Sequence, residues 1–154
     1  MQGVKSRPRV VIENVQPEID AGRFPIKRTV GDNVLVEADV FADGHDEISA
    51  VLLYRKGDGG GPWSSVPMTA LGNDRWQARF TVQGIGRYTY TVRGWIDHFK
   101  TWRRDLRKRL QAGQDVAIEL LVGLELIKRA AQRAEGPDAE RLRGIVQSFS
   151  ETTL

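Results

Sequence analysis

The 154-residue sequence contains no cysteine. It can therefore form neither a disulfide nor a thiolate metal site, and nothing in it calls for an oxidising compartment. Histidine is scarce too: His45 and His98 are the only two, far apart in sequence, so no metal-binding imidazole pair is suggested. Long apolar runs are missing. No segment approaches the roughly 20 apolar residues of a membrane-spanning helix, and the opening "MQGVKSRPRVV" lacks the unbroken apolar stretch of a secretory signal. These absences lead us to expect a cytoplasmic protein with no membrane attachment. Enzyme signatures are absent as well. There is no nucleophile elbow, and "GDGGGP" at residues 57–62 has no Lys-Ser/Thr to complete a phosphate-binding loop, which leaves it as a hairpin tip. The carboxylates of Glu37, Asp39, Asp43 and Asp46 fall at solvent-facing or turn positions, where pairing two of them as acid and base would be arbitrary. No catalytic residue, metal ligand or cofactor is indicated.

What the chain does have is charge, unevenly placed. Charged residues make up 28% of it, with a formal net charge of +3. Lys100, Arg103, Arg104, Arg107, Lys108 and Arg109 crowd into ten positions with one acid, Asp105, so the rest of the chain is slightly acidic. Basicity is a property of one segment, not of a whole surface shaped for polyanions. That segment lies within "GWIDHFKTWRRDLRKRL", residues 94–110, where Trp95, Phe99 and Trp102 offer stacking faces, so a nucleic-acid site has to be weighed. Helical spacing argues against it: Trp102, Leu106 and Leu110 recur at i, i+4, i+8, which makes Trp102 a packing residue on the sandwich and leaves the bases on the opposite, wet side. A sugar platform is the other reading for the aromatics, through Trp63, Trp76 and Trp95, although tryptophans at strand positions are usually core or half-buried flanks.

From Arg9 to Asp97 the pattern is short strands and turns. In "NVLVEADVFADG", Val34, Val36, Ala38 and Val40 alternate with Leu35, Glu37 and Asp39, and Asp43-Gly44 closes the run. "RVVIENV", "ISAVLLYRK", "WSSVPMTAL", "RWQARFTV" and "RYTYTVRGWI" read likewise, with turns at Gly57 to Pro62, Gly72 to Asp74 and Gly84 to Gly86. Six or seven such strands predict an immunoglobulin-like antiparallel β-sandwich over residues 1–98. Residues 99–154 then predict two or three helices. The first has Thr101 as N-cap and Gly113 as its end, the second runs from about Asp115 to Ala134, and the third starts at Pro137 and buries Leu142, Ile145, Val146 and Phe149. Phe99, Trp102, Leu106 and Leu110 are the expected hinge-packing residues at the junction. In the second helix, Val116, Leu120, Leu124 and Ile127 form one apolar row, and Ile118, Val122 and Leu126 form another across the axis. A helix apolar on two sides needs two neighbours, so Ile118, Val122 and Leu126 are candidate dimer-interface residues. The remainder of a longer chain is the other cover.

The motifs "PEIDAGRFPIKR", "ADVFADGHD", "GNDRW" and "TWRRDL", in this order, resemble the N-terminal region of the bacterial α-1,4-glucan:maltose-1-phosphate maltosyltransferases of the α-amylase superfamily. The similarity runs over nearly the whole chain; "GDGGGPW" and the segment after Ala134 are less typical. The resemblance implies a parent enzyme that extends α-1,4-glucans such as glycogen from maltose 1-phosphate with retention of configuration, using a nucleophilic carboxylate and an acid/base carboxylate. Both lie on a downstream (β/α)₈ barrel, so the resemblance places no catalytic residue here. It further implies that the sandwich and its helical insertion take part in a homodimer interface, and that the chain continues past Leu154 into the barrel. The implied role is a non-catalytic scaffold and dimerisation region. An independent glucan-binding module and a nucleic-acid-binding domain are the competing classes.

Overall fold

A computed structural model describes residues 10–57 and 59–152, with the backbone alone for 150–152. The chain divides between Asp97 and His98 into two compact units, one of strands and one of helices.

The first unit is a β-sandwich of two antiparallel sheets. One holds β1 (Val10–Gln16), β2 (Asn33–Ala42), β6 (Arg75–Thr81) and β5 (Thr69–Gly72), in the order β1-β2-β6-β5. The other holds β4 (Ser64–Pro67), β3 (Ile48–Lys56) and β7 (Tyr88–Ile96), in the order β4-β3-β7. The four-stranded sheet has the A-B-E-D order of an immunoglobulin constant-type domain. Alternation decides which side faces in. Val34, Val36, Ala38 and Val40 are buried, opposite Phe80, Ala78 and the half-buried Trp76 on β6, while Ala50, Leu52 and Val92 close the core from the other sheet. Tyr54 stacks on Phe80 with ring centroids 4.5 Å apart, and the Trp76 indole N–H donates to the Val40 carbonyl at 3.1 Å, so this large ring enters the core edge without an unsatisfied donor.

The run "WSSVPMTAL", which reads as one strand, is two. Val66 and Pro67 pair with Leu52 and Val51 in one sheet, then Thr69 and Ala70 pair with Gln77 and Trp76 in the other. The crossing is at Met68, whose side chain is buried and whose N–H bonds the Ala50 carbonyl at 2.9 Å. A buried side chain at the crossing anchors the change of sheet, and period-two counting cannot see it.

On the outer face of the larger sheet, Arg75 lies 3.1 Å from Asp39 and 3.6 Å from Glu37. The Asn14 amide donates to the other Asp39 oxygen at 2.6 Å. Asn14 sits at φ 50° where the β1–β2 register slips between Glu13 and Gln16. Asparagine is among the few side chains that accept this conformation readily, and the bulge aims its amide at the carboxylate.

The second unit is α1 (His98–Gln111), α2 (Ala117–Arg133) and α3 (Gly136–Thr152). α1 begins a turn before Thr101, so Thr101 is internal and not the cap. β3–β7 pairing runs to Ile48 and Ile96, the Asp97 N–H still bonds Glu47, and the helix follows at once. Its end is as expected. Gly113 at φ 68° donates to Leu110 and Gln114 donates to Arg109, the paired bonds of a Schellman motif that a β-carbon would strain. Among the described residues no helix is long and apolar enough to cross a membrane.

Candidate functional site

The candidate residues of the helical unit separate into two groups. Trp102 is half-buried, and its partner is α2: the indole N–H donates to the Glu119 carbonyl at 2.6 Å, and the ring lies against Gly123, leaving no room for a β-carbon there. The expectation had given this face to the sandwich; the contact that the structure shows is helix on helix. Phe99 packs on the Trp102 ring at 5.2 Å, and Leu106 is half-buried. Leu110 is 55% exposed, because the row that begins at Trp102 runs off the contact before the helix ends.

On α2, Ile127 and Ala131 are buried and Leu120 and Leu124 half-buried, so the first apolar row does face the unit's own helices. The second row is different from its expected membership. Ile118 is 73% exposed and Val122 50%, but Leu126 is half-buried, and Leu121 at 60% joins the exposed pair. Positions 118, 121 and 122 share one face by helical spacing, whereas 126 has rotated about 80° from 118. Glu125 and Arg129, paired at 3.0 Å, continue the same face. The apolar surface is therefore confined to the first turns of α2. Leu121 was legible in the sequence as the i+3 neighbour of Ile118. On α3, Ala139 is buried, Leu142, Val146 and Phe149 are half-buried, and Ile145 is exposed against expectation, since it lies about 100° from Val146 around the axis.

The basic run on α1 is partly neutralised. Arg104 bonds Asp105 at 2.9 Å and Arg109 bonds Glu119 at 3.1 Å. The Arg104 hydrogen bond, helped by the charges of Arg104, Lys108 and Arg109, holds the Asp105 carboxyl below its ordinary value. Arg104 and Arg109 thus serve the helical unit itself. Of the sandwich tryptophans, Trp63 and Trp95 are exposed and Trp76 half-buried; the Arg55 guanidinium lies 4.4 Å over the Trp63 ring and occupies one of its faces.

Against known proteins, the family described as "Alpha-1,4-glucan:maltose-1-phosphate maltosyltransferase, domain N/S" matches residues 8–153. A maltosyltransferase of that name from Chlorobaculum tepidum is 54% identical over 144 residues, 94% of this chain and 21% of the relative. One from Myxococcus xanthus is 45% identical over 141 residues, covering 88% of this chain and 21% of the relative. One from Picrophilus torridus is 40% identical over 145 residues, 94% of this chain and 23% of the relative. The chain spans about a fifth of the length of these relatives.

Proposed function

The chain belongs to the domain N/S family of the α-1,4-glucan:maltose-1-phosphate maltosyltransferases, and we propose from this premise that it is the scaffold and dimerisation region of such an enzyme. In this reading the parent protein lengthens α-1,4-glucans from maltose 1-phosphate in the cytoplasm with retention of configuration. The paired carboxylates that retention requires sit on a catalytic barrel outside these 154 residues, and glycogen-type glucan is the product.

The observation that carries the dimerisation part is the exposed face of Ile118, Leu121 and Val122 on α2. Covering an exposed aliphatic side chain completely is worth roughly 1.5–3 kcal/mol, so three on one helical face favour association with an apolar partner, here a second copy. Sedimentation of the chain tests it. The wild type should associate as concentration rises, and Leu121→Lys/Val122→Lys should give a folded monomer, because two ammonium groups cannot be buried unpaired. A wild-type chain that stays monomeric throughout would overturn the reading.

The exposure of Trp63 and Trp95 favours a second reading, contact with α-glucan through stacked indoles. Quenching or a blue shift of tryptophan emission on titration with a maltooligosaccharide, absent in Trp63→Ala/Trp95→Ala, would support it.

A further inference from the structure

The chain between β1 and β2 does not turn directly from one strand to the next. It enters through a cis Gln16–Pro17 bond, folds back on itself at an isolated bridge between Ile19 and Phe24, and only then starts β2. The turn of this excursion places Asp20, Ala21 and Gly22 at positive φ. Between this strap and the end of the sandwich lies a groove of about 790 Å³, within the size range of small-molecule clefts.

The lining combines two chemistries. The sandwich contributes aromatic rings: Phe80, with Tyr88 and Tyr90 tilted against it at centroid distances of 6.1 and 5.8 Å. The charged residues of the lining are Arg23, Lys27, Arg28 and Arg87, against a single acid, Glu18. Arg23 pairs loosely with Asp20 at 3.8 Å. Lys27 and Arg28 make no ion pair among the described residues, the Arg28 guanidinium donates to the Lys27 carbonyl at 2.8 Å, and the Tyr90 hydroxyl donates to the Pro17 carbonyl. Lys27 and Arg28 are both exposed and line the same groove as Tyr88 and Tyr90.

A neutral saccharide would leave the Lys27 and Arg28 charges without a counter-ion, and a bare anion would make no use of the half-buried Tyr88 and Tyr90 rings. We propose that the groove binds a small ring-bearing phosphate ester, with its phosphoryl group held by Lys27 and Arg28 and its ring laid against Tyr88 and Tyr90. Sugar phosphates and nucleoside monophosphates share this chemistry. The proposal is independent of the α2 face and of any activity of a parent enzyme.

The test is an amide-shift titration of the 154-residue chain, following Gly22, Gly86, Tyr88 and Tyr90. The probes are glucose 1-phosphate, adenosine 5′-monophosphate, inorganic phosphate, maltose and adenosine. Saturable shifts at these positions with one of the two esters, at least about tenfold tighter than with phosphate or the neutral compounds, would support the proposal, and the ester that binds identifies the ring. Charge-assisted hydrogen bonds are strong enough that Lys27→Ala/Arg28→Ala should weaken binding roughly ten- to a hundredfold. Both positions are exposed, so the variant should keep its fold, and Lys27→Arg/Arg28→Lys should restore part of the affinity. No shift up to about 10 mM ester, weaker than any ligand worth the name, would overturn the proposal. So would equal binding of inorganic phosphate, of the neutral compounds, or of the alanine variant.

Discussion

The sandwich and the helical unit are built to different standards of burial. In the sandwich, Val34, Val36, Ala38, Val40, Leu52 and Phe80 belong to one continuous buried cluster drawn from both sheets. In the helical unit the buried apolar side chains among the described residues are Ile127, Ala131 and Ala139, two of them alanines, and the Trp102 indole lies against Gly123. A sheet buries every second residue against its opposing layer, so its core closes on itself. Three short helices offer each other narrow stripes, and α2, apolar on more than one side, is left with large aliphatic groups in water. The sandwich thus closes its core within the unit, whereas the helical unit leaves Ile118, Leu121 and Val122 exposed.

The comparison breaks most sharply if core truncation does not discriminate between the units. Leu52 is fully buried between the sheets, so Leu52→Ala should cost roughly 2–5 kcal/mol through lost transfer energy and a cavity. The loss should appear in the denaturation midpoint of the strand signals. A cost under about 1 kcal/mol would mean that the core collapses around the hole, and that its closure is looser than its burial implies.

A smaller effect is expected from Gly123→Ala. On helix propensity alone the change is favourable by up to about 1 kcal/mol. Here the added β-carbon would overlap the Trp102 ring, and such overpacking costs about 1–3 kcal/mol, so the net effect should be destabilising. It should also be local. Near-ultraviolet signals of Trp102 and melting of the helical unit should change, while amide shifts in β2 and β6 hold. Stabilisation by this variant would show that Trp102 does not set the α1–α2 distance.

How far these features could be read beforehand depends on whether they are periodic. The alternation in "NVLVEADV" fixes the inward face of β2 residue by residue, and the i, i+4 spacing of Trp102 and Leu106 marks the packed side of α1. The split at Met68 was illegible because both halves alternate alike and the change of partner is a long-range fact. Leu121 is the i+3 neighbour of Ile118, and a row drawn through Ile118, Val122 and Leu126 at i+4 does not include it. The groove under the strap could not be foreseen at all: residues 17–32 have no period, and Phe24 meets Ile19, and Tyr90 meets Pro17, only through the closed fold.

The finest form of the comparison concerns two carboxylates. Asp39 is held below the usual aspartate value first by the Asn14 hydrogen bond and then by that of Arg75, against an opposing contribution from burial. Asp105 is held down first by Arg104, its immediate neighbour in the chain. A carboxyl whose pKa is lowered by folding contributes stability that is complete above its unfolded value, near 4, and is lost as pH falls through the folded value. The Asp39 partners lie on β1 and β6, 25 and 36 residues away, and exist only when the sheet is formed. The Asp105–Arg104 contact, the largest cause, is one residue long and can persist in the unfolded chain, where it cancels from the stability. Only the smaller contributions of Lys108 and Arg109 are left to depend on the helix. Asp39→Asn should therefore flatten the decline of the sandwich's denaturation midpoint below pH 4, and Asp105→Asn should leave the acid response of the helical unit nearly as it was. Equal flattening by both would show that the helical unit's ion pairs are formed by folding, as those of the sandwich are.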